Sequence, residues 1–204
     1  MIKENIRKML DEIPRAVELE AACKTRSANE ILEVIGAGVN IIGENYVQEA
    51  EEVFNAIGKK AKWHFIGHLQ KNKVKRAVKI FDMIETIDSF ELAEALDKAN
   101  AGIGKIMPVL VEINSGKEDQ KFGVLPEKAE EFIMTLCSMR NIKVEGLMTM
   151  GPLAGNPENA RPYFKETKKV FERVKHKNIP GVEMKFLSMG MSNSYKIAIQ
   201  EGAN

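Results

Sequence analysis

The stretch Val17-Glu18-Leu19-Glu20-Ala21-Ala22-Cys23-Lys24-Thr25-Arg26 decides between the two folds that fit this chain. Residues 17–23 predict a strand, and a capping-box pattern at Ser27 and Glu30 predicts that a helix follows it at once. An open doubly wound sheet usually carries a glycine-rich phosphate turn after its first strand, and this stretch contains no glycine. The stretch therefore favours a (β/α)8 barrel.

The rest of the chain alternates short apolar runs with helical patterns. After an opening helix, seven strands are predicted at residues 17–23, 39–43, 63–67, 83–87, 106–113, 142–150 and 184–188. Many of these runs are almost entirely apolar, which indicates strands of a parallel sheet that is covered on both faces. Pro126 is predicted to begin the helix after the fifth strand. We expect one α/β domain over residues 1–204, a TIM-type barrel that lacks a recognisable eighth strand.

The amino-acid composition limits the classes of partner that this protein is expected to bind. The 204 residues carry 30 basic and 29 acidic side chains, and 44% are hydrophobic. This balance gives no overall attraction to nucleic acid or to an anionic membrane, so neither is an expected partner. The basic side chains at 71, 75 and 79 are interpreted as a solvated helix face. No export signal is evident, and Cys23 and Cys137 are expected to be free thiols in the cytoplasm.

Lys24 is the first candidate site residue, because barrel enzymes and binding proteins build their sites where strands end. A lysine that is desolvated there has a lowered pKa, and its neutral amine can attack an aldehyde to form an imine. A solvated lysine at a strand end is the alternative.

The loop from Ser188 to Ser194 is the second candidate. It follows the seventh strand and leads into a short helix, where barrels commonly bind phosphate. Gly190 would let the backbone approach a ligand, and Ser192 offers donors to an anion. A simple helix cap is the alternative.

The histidines are not interpreted as metal ligands. His64 is expected to be a hydrogen-bonded residue of the barrel or to face a ligand. No metal site is expected, because no cysteine or carboxylate has the required spacing beside a histidine.

Several motifs together resemble one family. The longest is Trp63-His64-Phe65-Ile66-Gly67-His68-Leu69-Gln70-Lys71-Asn72-Lys73, and shorter ones occur in order at 23–25, 43–46, 114–116, 121–123, 146–150, 160–164 and 187–192. The chain resembles the pyridoxal phosphate homeostasis proteins, which are similar in fold to the barrel domain of alanine racemase.

The resemblance implies a cytoplasmic protein that holds pyridoxal 5′-phosphate as an imine on Lys24. It implies contact to the ring from Asn45, phosphate contacts from the 188–192 loop, and a role in vitamin B6 and amino-acid balance without an established turnover. The candidate cofactor-binding residues are Lys24, Asn45, His64, Ser188, Met189, Gly190 and Ser192. We expect a monomer or a weak dimer.

Two departures from the family pattern are expected to matter. Relatives usually have an apolar residue at the position of Glu20 and a small hydroxyl residue at that of Cys23. Relatives also continue past Asn204 into an eighth strand with an Arg-x-Gly-Thr segment. Either the chain is truncated, or its barrel is unclosed and binds the cofactor more weakly.

Two rival functions stay open at this point. A racemase or decarboxylase with the same cofactor needs a second acid–base group opposite the lysine, and the tyrosines of this chain are Tyr46, Tyr163 and Tyr195. A barrel that binds another phosphorylated metabolite is the third possibility.

Overall fold

Seven parallel strands form one sheet in the computed structural model, which describes residues 2–152 and 155–204. The strands are β1 (Glu20–Ala22), β2 (Ile41–Glu44), β3 (Lys62–Phe65), β4 (Met83–Ile87), β5 (Met107–Glu112), β6 (Ile142–Thr149) and β7 (Phe186–Met189). They lie side by side in the order of the sequence. The curled parallel sheet confirms the α/β barrel prediction, and the described residues contain no eighth strand.

Eight α-helices accompany the sheet in the described part of the chain. They are α1 (Ile2–Glu12), α2 (Ala28–Gly36), α3 (Val47–Ile57), α4 (Val74–Ile80), α5 (Phe90–Ala101), α6 (Ala129–Leu136), α7 (Arg161–His176) and α8 (Tyr195–Gln200). A capping box at Ser27 and Glu30 starts α2, as the sequence predicts. Within residues 2–152 and 155–204, no helix is long and apolar enough to cross a membrane.

Side chains alternate between the two faces of each strand, and β3 shows how this positions the site. Trp63 is fully buried and its ring lies 5.3 Å from that of Phe54 on α3. Phe65 is also buried, with its ring 5.1 Å from that of Phe81. Both therefore belong to the core between sheet and helices, while His64 between them faces the barrel interior.

Four side-chain contacts join α1 to α8 and fix Asn204 beside the edge strand β7. Glu12 at the end of α1 accepts a hydrogen bond of 2.7 Å from the Tyr195 hydroxyl, and its carboxylate lies 2.8 Å from Nζ of Lys196. Asn204 accepts from the N–H of Leu187 and donates to the carbonyl of Lys185, each at 2.7 Å. The Asn204 side chain thus satisfies part of the free edge of β7.

Several predicted boundaries are wrong. β2 starts at Ile41 rather than at 39, and β3 ends at Phe65 rather than at 67. β1 covers only three residues of the predicted 17–23, because an edge strand has one neighbour with which to pair. β7 starts at Phe186 rather than at 184, where the chain first passes through turns. Pro126 lies in a turn, since the N–H of Lys128 donates to the carbonyl of Leu125, and α6 begins at Ala129.

Candidate functional site

A cavity of about 820 Å³ occupies the barrel interior and opens where the strands end. This volume lies in the range typical of small-molecule sites. Its lining includes all seven residues that the sequence singles out, namely Lys24, Asn45, His64, Ser188, Met189, Gly190 and Ser192. The fold therefore brings the lysine and the phosphate-loop candidate into one cavity.

Lys24 lies just beyond the end of β1, at the mouth of this cavity. It is exposed, so the desolvation that the sequence suggested for its amine is absent from this structure. The adjoining turn is fixed by Thr25, whose N–H donates to a carboxylate oxygen of Glu49 at 3.1 Å. Within the described chain, Lys62 is the only other lysine of the lining, and it begins β3 at the opposite end of the barrel.

Asn45 follows β2 and borders the same mouth. A Cβ at Gly67 would lie 2.3 Å from the Asn45 carbonyl oxygen, so only glycine lets the two loops approach this closely. The side-chain amide of Asn45 has no hydrogen-bond partner among the described residues. It is therefore available to a ligand in the cavity.

The loop after β7 carries free donors, and Gly190 is among its residues that line the cavity. Its φ of +95° suits glycine, and a Cβ there would lie 2.8 Å from Cβ of Ala198 and 3.0 Å from Cα of Tyr195. The missing side chain thus makes room for α8, and the approach of a ligand to this backbone stays a prediction. Ser192 is exposed, and neither its N–H nor its hydroxyl has a partner in the described part of the chain.

His64 forms a buried cluster with two carboxylates that come from other strands. Its Nδ1 lies 2.7 Å from Oε1 of Glu85 and 3.9 Å from Oε1 of Glu20. Gly43 on the intervening strand makes this possible, because a Cβ there would lie 2.5 Å from Oε1 of Glu20. His64 is thus hydrogen-bonded in the barrel and lines the cavity, and its contact with a ligand stays a prediction.

The two carboxyl groups of this cluster are poorly compensated. Oε1 of Glu20 and Oε2 of Glu85 are buried without a hydrogen-bond partner. Burial, together with the nearby charge of Glu85, holds the pKa of Glu20 well above its ordinary value. Sequence spacing could not reveal this cluster, because its members lie on β1, β3 and β4 and meet only across the barrel.

Two further ionisable groups lie outside the cavity lining. Burial, and then the charge of Glu49, raises the pKa of Glu44 to about 7. Burial also raises the pKa of the Cys23 thiol to about 12, with the charges of Glu44 and Glu20 adding to the effect. Cys23 is therefore a small buried apolar residue rather than a reactive thiol.

Comparison with known proteins identifies the family. The model of the alanine racemase N-terminal domain matches residues 1–201. A pyridoxal phosphate homeostasis protein of Aquifex aeolicus is 35% identical, over 98% of this chain and 92% of the relative. The chain belongs to the pyridoxal phosphate homeostasis protein family. A second family member, from Pasteurella multocida, is 31% identical over 99% of this chain and 89% of its own length.

Solved structures agree with this membership. PipY of Synechococcus elongatus, in a structure with pyridoxal phosphate bound, has a TM-score of 0.90 and 29% identity, over 100% of this chain and 95% of PipY. An alanine racemase of Clostridium difficile has a TM-score of 0.75 at 17% identity, over 91% of this chain and 49% of the racemase. The second likeness shows the barrel fold alone.

Proposed function

We propose that this chain binds pyridoxal 5′-phosphate in the barrel cavity and serves vitamin B6 and amino-acid homeostasis as a carrier. The observation that carries the proposal is the presence of a lysine amine and a donor-bearing loop at one mouth of one cavity. An aldehyde phosphate needs these two groups, and the related PipY has been solved with this cofactor. The cofactor supplies an aldehyde that condenses with amines.

Lys24 is the proposed attachment residue. Its amine would hold the cofactor through an imine to the aldehyde carbon, with the aldehyde oxygen released as water. Two other lysines are less suitable. Lys62 lies at the amino end of the barrel, and Nζ of Lys121 is held 2.6 Å from Oε1 of Glu118, outside the cavity lining.

The phosphate is proposed to lie against residues 188–192, with the unpartnered N–H and hydroxyl of Ser192 as donors. Asn45 and His64 are proposed to contact the ring, because both line the cavity on the side of β2 and β3. This arrangement holds the cofactor at both ends, through the imine and through the phosphate.

Racemization is the weaker alternative, because no tyrosine is placed to act as the second acid–base group. Among the described residues, Tyr195 is the only tyrosine in the lining, and its hydroxyl donates to Glu12. That hydrogen bond raises the pKa of Tyr195 and holds its hydroxyl against α1. We therefore favour a carrier.

Gel filtration of the purified protein tests the expected monomer or weak dimer. Cell fractionation tests the expected cytoplasmic location.

An absorbance titration tests the proposal. Adding pyridoxal 5′-phosphate to the purified chain should produce the near-visible band of an imine, and Lys24→Ala should abolish it. Lys62→Ala is the matched control and should keep the band. Binding without a band in the unaltered chain would favour the third possibility, a barrel for another phosphorylated metabolite. A band that survives Lys24→Ala would contradict the assignment of Lys24.

A further inference from the structure

The cluster of Glu20, His64 and Glu85 lies in the barrel interior, and the proposed contact of His64 with the cofactor ring gives no role to its two carboxylates. One ligand-type atom of each residue lies within 4.8 Å of the others. His64 and Glu85 are buried, and Glu20 is partly accessible from the cavity. Among the described residues, no lysine or arginine pairs with either carboxylate.

Two carboxylates in such a place are stabilised by a shared proton or by a bound cation. An unpaired buried carboxylate is strongly disfavoured, and here one oxygen of Glu20 and one of Glu85 are buried without a partner. A shared proton neutralises one negative charge. A divalent cation neutralises both and also gives the unpartnered oxygens a ligand.

The surroundings add to this stabilisation. The facing side of the barrel interior is apolar, because Met83, Leu110 and Met148 pack together there with Phe186. Electrostatic attraction to a cation is stronger beside this apolar wall than at an open surface. Gly43 keeps open the space through which Glu20 reaches His64.

We propose that Glu20, His64 and Glu85 form a binding site for a zinc-class divalent cation. One imidazole nitrogen and two carboxylate oxygens are donors that zinc accepts, and three protein ligands are the number that open zinc sites use, with water in the fourth position. Bonds of about 2.0–2.2 Å place tetrahedral ligand atoms about 3.4 Å apart. The separations of 2.7 and 3.9 Å from Nδ1 of His64 bracket that value, so small side-chain movements complete the site.

The test measures zinc binding to cofactor-free protein that has been dialysed against a chelator. Titration of Zn²⁺ against a chromophoric competitor should give one equivalent bound, and Co²⁺ in its place should produce visible d–d bands. Glu20→Leu and Glu85→Gln should each weaken binding by more than the roughly 10- to 100-fold typical of losing an outer-shell partner. Glu112→Gln, which changes a carboxyl on β5 outside the cavity lining, is the matched control and should bind as the unaltered chain does.

Circular dichroism of each variant establishes that it is folded, and Glu20→Leu removes a buried carboxyl, so we expect it to fold well. Two results would overturn the proposal. One is less than stoichiometric Zn²⁺ binding by the unaltered chain, which would mean that the carboxyls share a proton. The other is equal binding by Glu20→Leu, which would place the ion elsewhere. Neither result bears on the cofactor, because the measurement is made without it.

Discussion

Replacing Glu44 by glutamine should stabilise the protein at alkaline pH and leave it unchanged in mild acid. Glu44 is 1% exposed, its Oε2 has no hydrogen-bond partner, and its pKa is raised from 4.5 to about 7 by burial and by the charge of Glu49. The folded state therefore holds this proton more tightly than the unfolded chain. The bound proton therefore contributes to the stability of the folded state. This contribution is complete below pH 4.5 and is lost as the pH rises through 7.

A raised pKa converts to free energy at about 1.4 kcal/mol per unit. Because water and side-chain relaxation reduce the full value, we expect Glu44→Gln to gain about 2 kcal/mol over the unaltered chain at pH 8 and nearly nothing at pH 4. Urea unfolding followed by circular dichroism measures both. Glu52→Gln, at an exposed position of α3, is the control and should show no such difference. A Glu44→Gln protein that is less stable at both pH values would refute the reasoning, because it would mean that the charged carboxylate is favourably paired.

Three further substitutions test the site and the barrel edge. Ser192→Ala should weaken the binding of pyridoxal 5′-phosphate by about 1–2 kcal/mol and should hardly affect the binding of pyridoxal. Fluorescence titration with each ligand measures both affinities. Equal losses would indicate damage to the fold. Gly43→Ala should destabilise the folded protein by about 1–3 kcal/mol, because its Cβ would lie 2.5 Å from Oε1 of Glu20. The loss should be smaller in a Glu20→Ala background. A double-mutant cycle measured by urea unfolding that shows no coupling would contradict this. Asn204→Ala should lower the melting temperature, at a cost of about 1–2 kcal/mol, because it removes the hydrogen bonds to Leu187 and Lys185. An unchanged melting temperature would show that water replaces them.

Sequence patterns predict the parts of this fold that local chemistry controls. β4 spans Met83–Ile87 as predicted, because a run buried on both faces is bounded by polar residues. The capping box of α2 is correct for a similar reason, since its two hydrogen bonds join residues three apart. The family motifs also predict the cavity lining, because the fold places the strand ends at one mouth.

Features that depend on contacts across the barrel could not be predicted. The Glu20–His64–Glu85 cluster joins three strands through the space left by Gly43, and no spacing along the chain encodes that distance. The packing of α8 against Gly190 is a second such contact, and no local motif encodes it. The short length of β1 follows from its position at the sheet edge, which the sequence of the strand does not encode.

The most direct test of the account is to reduce the complex of this chain and pyridoxal 5′-phosphate with borohydride and to map the adduct by peptide mass spectrometry. Reduction converts an imine to a stable secondary amine, so the labelled peptide identifies the lysine that carries the cofactor. The account predicts a single adduct, on Lys24, that is absent from Lys24→Ala. An adduct on Lys62 or Lys121 in the unaltered chain, or no adduct at saturating cofactor, would contradict it.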